Sequence, residues 1–439
     1  MKIFPQIGVQ IPTTYLPNHQ IDHSKWAVIA CDQYTSQPEY WQKVSEYVGD
    51  SPSTLHLILP EVYLGTEVET QRVSDAKTKM KQYLADGTLE PQDQLIYVER
   101  SVDGKTRRGL MLALDLEQYD FSVGSQSLIR ATEGTILDRL PPRIRIRKEA
   151  IIELPHILVL IDDPGDKVIG PIEAKKSSLP IAYDFDLMQN SGHLCGRFVN
   201  DADLESAVIQ NIEALSSPDV FYPKYNVGKE KGILLFAVGD GNHSLATAKS
   251  IWEQNKALVG MNHPSRYALV EIENIHDQGL AFEPIHRVLF RLASDPIEEM
   301  QTYFGSNLEL EKTTDFHHMK KIVDGQLKTA HKFGLITPDA TFVITIQNPS
   351  ANLPVGTLQP FLDHWLKIGG AASIDYVHGD ETVSTLGCQN GNAGFYLPAM
   401  AKSELFRTVI LDGALPRKTF SMGEAHEKRF YMEARKITD

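Results

Sequence analysis

Short apolar segments alternate along this chain with longer segments of helical periodicity. The apolar runs, many of them containing β-branched residues, predict strands. They cover residues 55–59, 95–98, 110–114, 157–161, 233–238 and 341–346. Helical spacing of apolar residues predicts helices over residues 38–47, 73–84, 203–215, 243–258, 297–304 and 316–333. This interleaving predicts a mixed α/β (α+β) protein in which mixed sheets are flanked by helices.

The length of the chain predicts two domains. A chain of 439 residues exceeds the size at which a single hydrophobic core keeps growing. The apolar segment 284–292 is followed by Asp295-Pro296, which opens a new helical pattern. We therefore expect an N-terminal α/β domain over residues 1–290 and a C-terminal α/β domain over residues 291–439.

Charge and hydropathy limit the possible partners. The chain carries 57 acidic residues against 43 lysines and arginines, a formal net charge of −14. Such a surface repels a polyphosphate backbone, so we expect a small-molecule substrate and no nucleic acid. No apolar run approaches the roughly 18–20 residues of a membrane span, and the N-terminal residues lack a signal-peptide pattern. We expect a cytoplasmic protein without a membrane partner; the oligomeric state is not predicted.

The candidate working centre is the segment 239–244, which reads Gly-Asp-Gly-Asn-His-Ser. The preceding run, residues 232–238, is almost entirely apolar, as is typical of a strand buried on both faces. The glycines permit a tight turn, and a helical pattern follows it. The backbone N–H groups that begin this helix would favour an anion, and a phosphate is the natural occupant.

The side chains of this segment suit phosphoryl chemistry. Asp240 could hold a divalent cation or accept a proton, and His243 could stabilise transferred charge or shuttle a proton. The candidate phosphate-binding residues around them are Gly239, Gly241, Asn242 and Ser244. In an alternative interpretation, Asp240 and Asn242 only cap a structural helix. The motif is neither a Walker loop nor a GxGxxG fingerprint.

The segment 240–248, Asp-Gly-Asn-His-Ser-Leu-Ala-Thr-Ala, resembles the signature of the bacterial and archaeal family called domain of unknown function 1015. That signature is an apolar strand followed by Asp-Gly-His-His-Arg and a helix containing Thr-Ala. Asn242 stands where the first His is usual, and Ser244 where Arg is usual. A guanidinium contact to a phosphate therefore cannot be carried over to position 244.

Other segments extend the resemblance across most of the chain. Glu133-Gly134-Thr135 matches a Glu-x-Thr element of the family, and Arg143 best matches a family arginine. Further similar segments are residues 154–157, 284–288 and 416–420. The family signature is in turn similar to one in the ParB/sulfiredoxin-like fold group, which includes nucleotide-hydrolysing proteins and an archaeal free-serine kinase. The resemblance thus implies a ParB/sulfiredoxin-like motif region.

A basic stretch over residues 130–148 would attract an anionic ligand in a chain that is acidic overall. Residues 143–147 alternate Arg and Ile, so in a strand the three guanidinium groups would share one face. We select Arg139 and Arg143 as candidate phosphate ligands and favour a solvated face for the other two arginines. Thr135 is a further candidate from the matched element, and Lys418 would serve as a charge clamp near a phosphate.

Three functions remain open at this point. The leading hypothesis is a phosphotransferase that depends on Mg²⁺ and on ATP or ADP and acts on a small hydroxylated metabolite, such as serine. Asp240 would hold the metal, Arg143 would bind an anionic group, and Glu133 would orient or deprotonate the acceptor hydroxyl. The alternatives are a non-catalytic binder of a phosphorylated metabolite or nucleotide, favoured by the two altered signature positions, and a phosphohydrolase.

Overall fold

The computed structural model describes residues 1–134, 140–325 and 329–439. Its strands are β1 Lys2–Phe4, β2 Val9–Ile11, β3 Thr14–Pro17, β4 Val28–Ile29, β5 Leu89–Gln92, β6 Leu95–Val102, β7 Lys105–Asp115, β8 Tyr119–Asp120, β9 Ile129–Ala131, β10 Ile152–Glu153, β11 Leu158–Ile161, β12 Ile181–Asp186, β13 His193–Val199, β14 Phe236–Asp240, β15 Tyr267–Asn274, β16 Phe282–Leu292, β17 Leu308–Thr313, β18 Ala330–Ile336, β19 Thr341–Gln347, β20 Ala371–His378, β21 Asn392–Tyr396, β22 Phe420–Met422, β23 Phe430–Tyr431 and β24 Arg435–Lys436. Its α-helices are α1 His23–Trp26, α2 Pro38–Val48, α3 Glu69–Ala85, α4 Leu140–Glu149, α5 Gly170–Lys175, α6 Ala202–Leu215, α7 Pro218–Tyr225, α8 Asn242–Val259, α9 Pro296–Phe304, α10 Phe316–Asp324, α11 Pro354–Lys367, α12 Asp380–Gly387 and α13 Lys402–Asp412.

The chain forms two compact units. The first comprises Met1–Leu280 together with Gly423–Asp439, and the second comprises Ala281–Met422. The sequence interpretation placed one boundary at residues 290 and 291 and assigned everything after it to a second domain. In the structure the segment 423–439 lies in the first unit, because β23 pairs with β4 and β24 pairs with β10.

An eleven-stranded mixed sheet organises the first unit, with the main order β12-β13-β6-β7-β15-β11-β14-β9-β8. Alternate residues of its strands enter two different cores, as the pleat of a strand requires. On β7, Leu110 and Leu112 join the core that contains Trp252 of α8, whereas Met111 joins the core that contains Trp41 of α2. Helices therefore cover both faces of the sheet, which confirms the predicted mixed α/β class.

The second unit has a sheet of order β17-β19-β18-β21-β16-β20, with β22 paired to β16. Each of these pairs is antiparallel. A core of aliphatic and aromatic side chains, including Val288 and Tyr396, packs between this sheet and α10 and α12. In the described residues of both units, no helix combines the length and the apolar character needed to cross a bilayer.

One predicted strand is wrong, and the strand arrangement considered for residues 143–147 is not formed. Residues 55–59 were predicted as a strand, but Thr54–Leu57 form a 3-10 helix whose first turn is capped by the Ser53 side chain. The alternating arginines of residues 143–147 lie in α4 and not in a strand. In this helix Arg143 and Arg147, four positions apart, share a face, and Arg145 points away from it.

The predicted helix over residues 316–333 is correct only in its first half. Helix α10 ends at Asp324, and β18 begins at Ala330. All residues of this strand except Lys332 are buried, and the strand pairs with β19 on one side and β21 on the other. Tertiary pairing of this segment therefore prevails over the helical spacing of its apolar residues.

Candidate functional site

A cleft of about 150 Å³ lies in the first unit, beside the first turn of α8 and the residues that lead into β11. Its polar lining includes Glu61, Arg143, His156, Ser244 and Tyr431. Apolar side chains from the 3-10 helix Thr54–Leu57, α3 and α4 form the rest of the wall, among them Leu57, Met80 and Ile146. The cleft thus offers an apolar surface next to a charged and hydrogen-bonding one, which suits a small organic anion.

The predicted strand, turn and helix are present at residues 236–259. Strand β14 ends at Asp240, and Gly241 turns the chain into α8 with φ of 79° and ψ of 25°. A side chain at position 241 would also place its Cβ 3.0 Å from the Cα of Ile157, so glycine is required on both grounds. Because the N-cap residue of α8 is Gly241, the cap position itself provides no side chain to the first turn.

The adjacent segment around Glu133 lies against this turn. The side-chain oxygen of Asn242 accepts a hydrogen bond from the backbone N–H of Thr132 at 3.3 Å. The Thr132 hydroxyl in turn donates to the carbonyl oxygen of Val238 at 2.6 Å. Glu133, the next residue, is half-buried. Asn242 occupies the position where the family signature has histidine. Its hydrogen bond therefore holds the segment that contains Glu133 next to the start of α8.

Asp240 forms an ion pair with Lys428, whose Nζ lies 3.0 Å from Oδ2. The other carboxylate oxygen accepts from the backbone N–H of Gly241 at 2.9 Å. Burial alone would raise the pKa of Asp240, but the charge and hydrogen bond of Lys428, with help from His156, lower it below its usual value. Asp240 is therefore held as a carboxylate with a cation beside it.

Ser244, His156 and Tyr431 form a continuous chain of hydrogen bonds. The Ser244 Oγ lies 2.8 Å from His156 Nε2, and the Tyr431 hydroxyl lies 2.9 Å from His156 Nδ1. The Tyr431 oxygen also accepts from the backbone N–H of Cys31 at 3.1 Å. A carboxylate oxygen of Asp32 lies 3.9 Å from His156 Nε2. The imidazole is thus fixed from both ring nitrogens, next to a hydroxyl that lines the cleft.

Arg143 and Glu61, which both line the cleft, form an ion pair through the arginine Nη2 and a carboxylate oxygen. Their side chains retain 20% and 17% of their exposure, respectively, so a ligand can reach both. Burial raises the pKa of Glu61 above its usual value although Arg143 opposes that effect. Arg145, on the same helix, is two-thirds exposed and pairs with Glu69 at 3.4 Å. Arg143 alone of these two contributes to the cleft.

The structure brings some of the predicted site residues together and leaves others apart. Arg143 and Ser244 line the cleft, and Asp240 and Asn242 belong to the turn beside it. His243 is half-buried, and its carbonyl oxygen accepts from the Thr247 hydroxyl at 2.7 Å. Thr135 and Arg139 lie outside the described residues. The remaining candidates are Gly239, which is half-buried in β14, and Lys418, an exposed residue of the second unit.

Four residues of the site were missed by the sequence interpretation: Glu61, His156, Lys428 and Tyr431. His156 lies in one of the segments that carry the family resemblance, so that signal was available. Lys428 and Tyr431 lie in the segment 423–439, which was assigned to the other domain. Glu61 belongs to a stretch predicted to follow a strand, and no motif marks it.

The described residues of this site do not by themselves provide a complete set of ligands for a divalent cation. Among residues 1–134, 140–325 and 329–439, no three His, Cys, Asp or Glu side chains converge as a metal-binding group. Asp240, the residue predicted to hold Mg²⁺, accepts from Lys428. Mg²⁺ is commonly bound by one or two carboxylates together with substrate phosphates, so Asp240 would hold it only together with the phosphates of a bound nucleotide.

A family model described as "Protein of unknown function (DUF1015)" matches residues 15–365 of this sequence. No curated protein matches it significantly. Solved structures that match include a conserved hypothetical protein from Pyrococcus furiosus, with a TM-score of 0.36, 11% identity, and coverage of 75% of this chain and 95% of that one. A free serine kinase in complex with AMP matches with a TM-score of 0.37, 11% identity, and coverage of 75% and 91%. SbnI with a C-terminal truncation from Staphylococcus aureus matches with a TM-score of 0.34, 10% identity, and coverage of 73% and 82%.

Proposed function

This chain belongs to the DUF1015 family of proteins of unknown function, and we propose that it is a phosphotransferase that moves a phosphoryl group from a nucleotide to a small hydroxylated metabolite. The observation that carries the proposal is the cleft itself. It combines the cation Arg143, the hydrogen-bonded pair of Ser244 and His156, and a wall formed in part by the first turns of α8, which contribute Ser244 and Thr247. Phosphoryl transfer needs little more from a protein than positioning and compensation of negative charge.

The phosphates of the donor would lie between the first turn of α8 and Arg143. Backbone N–H groups at a helix start and the positive end of its dipole favour anions, and a guanidinium can bind two phosphate oxygens at once. The apolar wall around Leu57, Met80 and Ile146 would receive the base or another apolar part of the donor. The polar and apolar walls therefore match the two ends of a nucleotide.

Binding of the donor would also prepare a base for the acceptor. A phosphate that bonds to Arg143 competes with Glu61 for the same guanidinium. Glu61 would then be a partly buried carboxyl with a raised pKa, as expected for a group that takes a proton from a hydroxyl. Glu133, which follows the residue that hydrogen-bonds Asn242, is the other candidate for the general base.

One observation favours a second candidate function, a non-catalytic sensor of a phosphorylated metabolite. The charged groups at the cleft, Arg143 with Glu61 and Asp240 with Lys428, are already joined in ion pairs. A site that only exchanges one partner of such a pair for a ligand would bind without turnover.

Phosphorus NMR of the purified protein separates these functions. The sample contains ATP or ADP, Mg²⁺ and a pool of small hydroxylated compounds that includes serine. A new phosphoester resonance is the expected result, and it should be absent with Arg143→Ala but present with Arg145→Ala. Release of inorganic phosphate alone would identify a phosphohydrolase. An unchanged spectrum together with a nucleotide-induced rise in melting temperature would identify a binder.

A further inference from the structure

We propose that Ser244 is a covalent nucleophile that carries the phosphoryl group between donor and acceptor, with His156 as its general base and Tyr431 as the residue that orients the imidazole. The proposal rests on the phosphotransfer proposed above for the identity of the donor. Its structural basis is the hydrogen-bonded order of hydroxyl, imidazole and phenol along one wall of the cleft. Enzymes with covalent intermediates share this arrangement: the nucleophile forms a hydrogen bond to a base, and a third group orients the base.

Tyr431 and Ser244 contact opposite ring nitrogens of His156, which permits the tautomer with the proton on the Tyr431 side. The Tyr431 oxygen accepts from the backbone N–H of Cys31 at 3.1 Å. In the arrangement that the proposal requires, the phenol oxygen also accepts from His156, so Nδ1 carries the hydrogen. His156 Nε2 then has a lone pair directed at the Ser244 hydroxyl, 2.8 Å away. This tautomer is the one that a general base requires.

Burial keeps the neighbouring acids in their neutral forms. It raises the pKa of the Cys31 thiol to about 12, with the Asp32 carboxylate as a second cause. Burial likewise raises the pKa of Tyr431 well above its usual value. Neither group competes with His156 for the proton of Ser244. When His156 takes that proton, the Asp32 carboxylate 3.9 Å from Nε2 stabilises the imidazolium.

In the first step, Ser244 Oγ attacks the terminal phosphorus of a nucleoside triphosphate. The Oγ–P bond forms while the bond from that phosphorus to the bridging oxygen breaks, and the electron pair leaves with the nucleoside diphosphate. The proton of the Ser244 hydroxyl passes to His156 Nε2. The phosphoserine then lies in the first turn of α8, where the helix dipole and Arg143 compensate its charge.

In the second step, the acceptor hydroxyl attacks the phosphoserine. The bond between phosphorus and the acceptor oxygen forms, and the Oγ–P bond breaks with its electron pair returning to Oγ. His156 gives its proton back to Ser244, and the proton of the acceptor passes to Glu61 and then to solvent. Two displacements at phosphorus leave the protein unchanged. The serine at position 244, where the family signature has arginine, thereby acquires a chemical role.

The proposal is tested with diisopropyl fluorophosphate, which reacts with activated serines whatever their natural donor is. Ser244 Oγ would displace fluoride from the phosphorus of this reagent while His156 takes the proton. We expect peptide mass spectrometry to find the adduct on Ser244 of the full chain. Ser250→Ala is the matched control, because Ser250 lies on the same helix and its hydroxyl only donates to the carbonyl oxygen of Ala246. Failure of Ser244 to react would overturn the proposal.

The role of His156 is tested with the same reagent. His156→Gln should slow the labelling of Ser244 roughly a hundredfold, the lower end of what a general base contributes. Tyr431→Phe, which keeps the ring and removes only the hydroxyl, should slow it less. Melting temperatures of both variants show whether they are folded. A folded His156→Gln variant that labels at the wild-type rate would contradict the role of His156.

The outcome with ATP distinguishes the proposed phosphoserine intermediate from the phosphotransferase function on which it rests. If the wild type forms phosphoserine at position 244 and a new phosphoester, both proposals are supported. If the wild type forms the phosphoester and Ser244→Ala forms it at the same rate, the phosphotransferase function is supported and the phosphoserine intermediate is overturned. If fluorophosphate labels Ser244 through His156 but neither phosphoserine nor phosphoester forms with ATP, the activated serine stands and the phosphotransferase function fails.

Discussion

The amine of Lys428 lies 3.0 Å from a carboxylate oxygen of Asp240, although 188 positions separate these residues in the sequence. The contact joins the segment 423–439 to the turn that begins α8. It also determines the ionisation of the turn, because Lys428 outweighs the effect of burial on the pKa of Asp240. The chemistry of the site thus depends on residues that are distant in sequence.

Asp240→Asn should lower the free energy of unfolding by roughly 1.5–3 kcal/mol near neutral pH, the usual contribution of a hydrogen bond to a charged group. Because the pKa of Asp240 is lowered in the folded protein, its contribution is present above the unfolded pKa of about 4 and is lost as the pH falls through the folded pKa. The difference between wild type and variant should therefore shrink in acid. Urea unfolding at a series of pH values measures it, with the exposed Glu90→Gln as control. A difference that stays constant down to the lowest pH would contradict the role of the carboxylate.

Arg143→Ala should weaken the binding of ATP about tenfold to a hundredfold, because it removes a charged hydrogen-bond donor from the cleft. Arg145 lies on the same helix and is two-thirds exposed. Arg145→Ala should therefore leave the affinity unchanged within about twofold, because salt at physiological ionic strength screens an exposed charge. Isothermal titration calorimetry at fixed ionic strength measures both constants. Equal effects of the two variants would mean that the helix contributes only its overall charge.

Glu273→Gln should flatten the dependence of stability on pH. Burial, with smaller effects from Glu271 and Asp277, raises the pKa of Glu273 from 4.5 to about 8 although Arg107 opposes it. Between these two values the unfolded chain has lost a proton that the folded protein retains, so this group makes stability fall as the pH rises. Chemical unfolding across that range measures the slope for wild type and variant. A variant with the wild-type slope would show that Glu273 is ionised in the folded protein throughout.

Arg435→Met should destabilise the first unit by about 3–5 kcal/mol, since it leaves the carboxylate of Glu153 buried without one of its two arginines. The side chains of Arg435 and Glu153 retain only 4% and 3% of their exposure. Lys2→Met is the contrasting control, because its pair with Glu205 includes a lysine that is 59% exposed and should contribute at most about 1 kcal/mol. Urea denaturation gives both values. A similar small loss for both variants would refute a structural role for the buried pair.

Much of the fold could be predicted because apolar periodicity reports directly on burial. The strand β14, the turn at Gly241 and the helix α8 follow from an apolar run, a glycine and helical spacing. The alternating arginines of α4 show the limit of this reasoning. Alternating polar and apolar residues form a strand only where a neighbouring strand provides backbone hydrogen-bond partners. Here the residues form a helix that packs beside α8 and α3.

The site was less predictable because its contacts join residues far apart in the sequence. Ser244 and His156 are 88 positions apart, and His156 and Tyr431 are 275 apart. Local spacing carries no information about such contacts. The roles predicted for Glu133, Asp240, His243 and Arg143 stay predictions, but the structure shows that Arg143 and Ser244 border the same cleft.

The return of residues 423–439 to the first unit has a consequence for synthesis. A ribosome completes residues 1–280 and then the whole of 281–422 before β23 and β24 exist. Until that moment β4 and β10 lack their partners, and the buried Glu153 lacks Arg435. The newly made first unit therefore exposes the unpaired backbone N–H and C=O groups of β4 and β10. They stay unpaired while the 142 residues of the second unit are synthesised. A chaperone that shields such edges would be needed most during this interval.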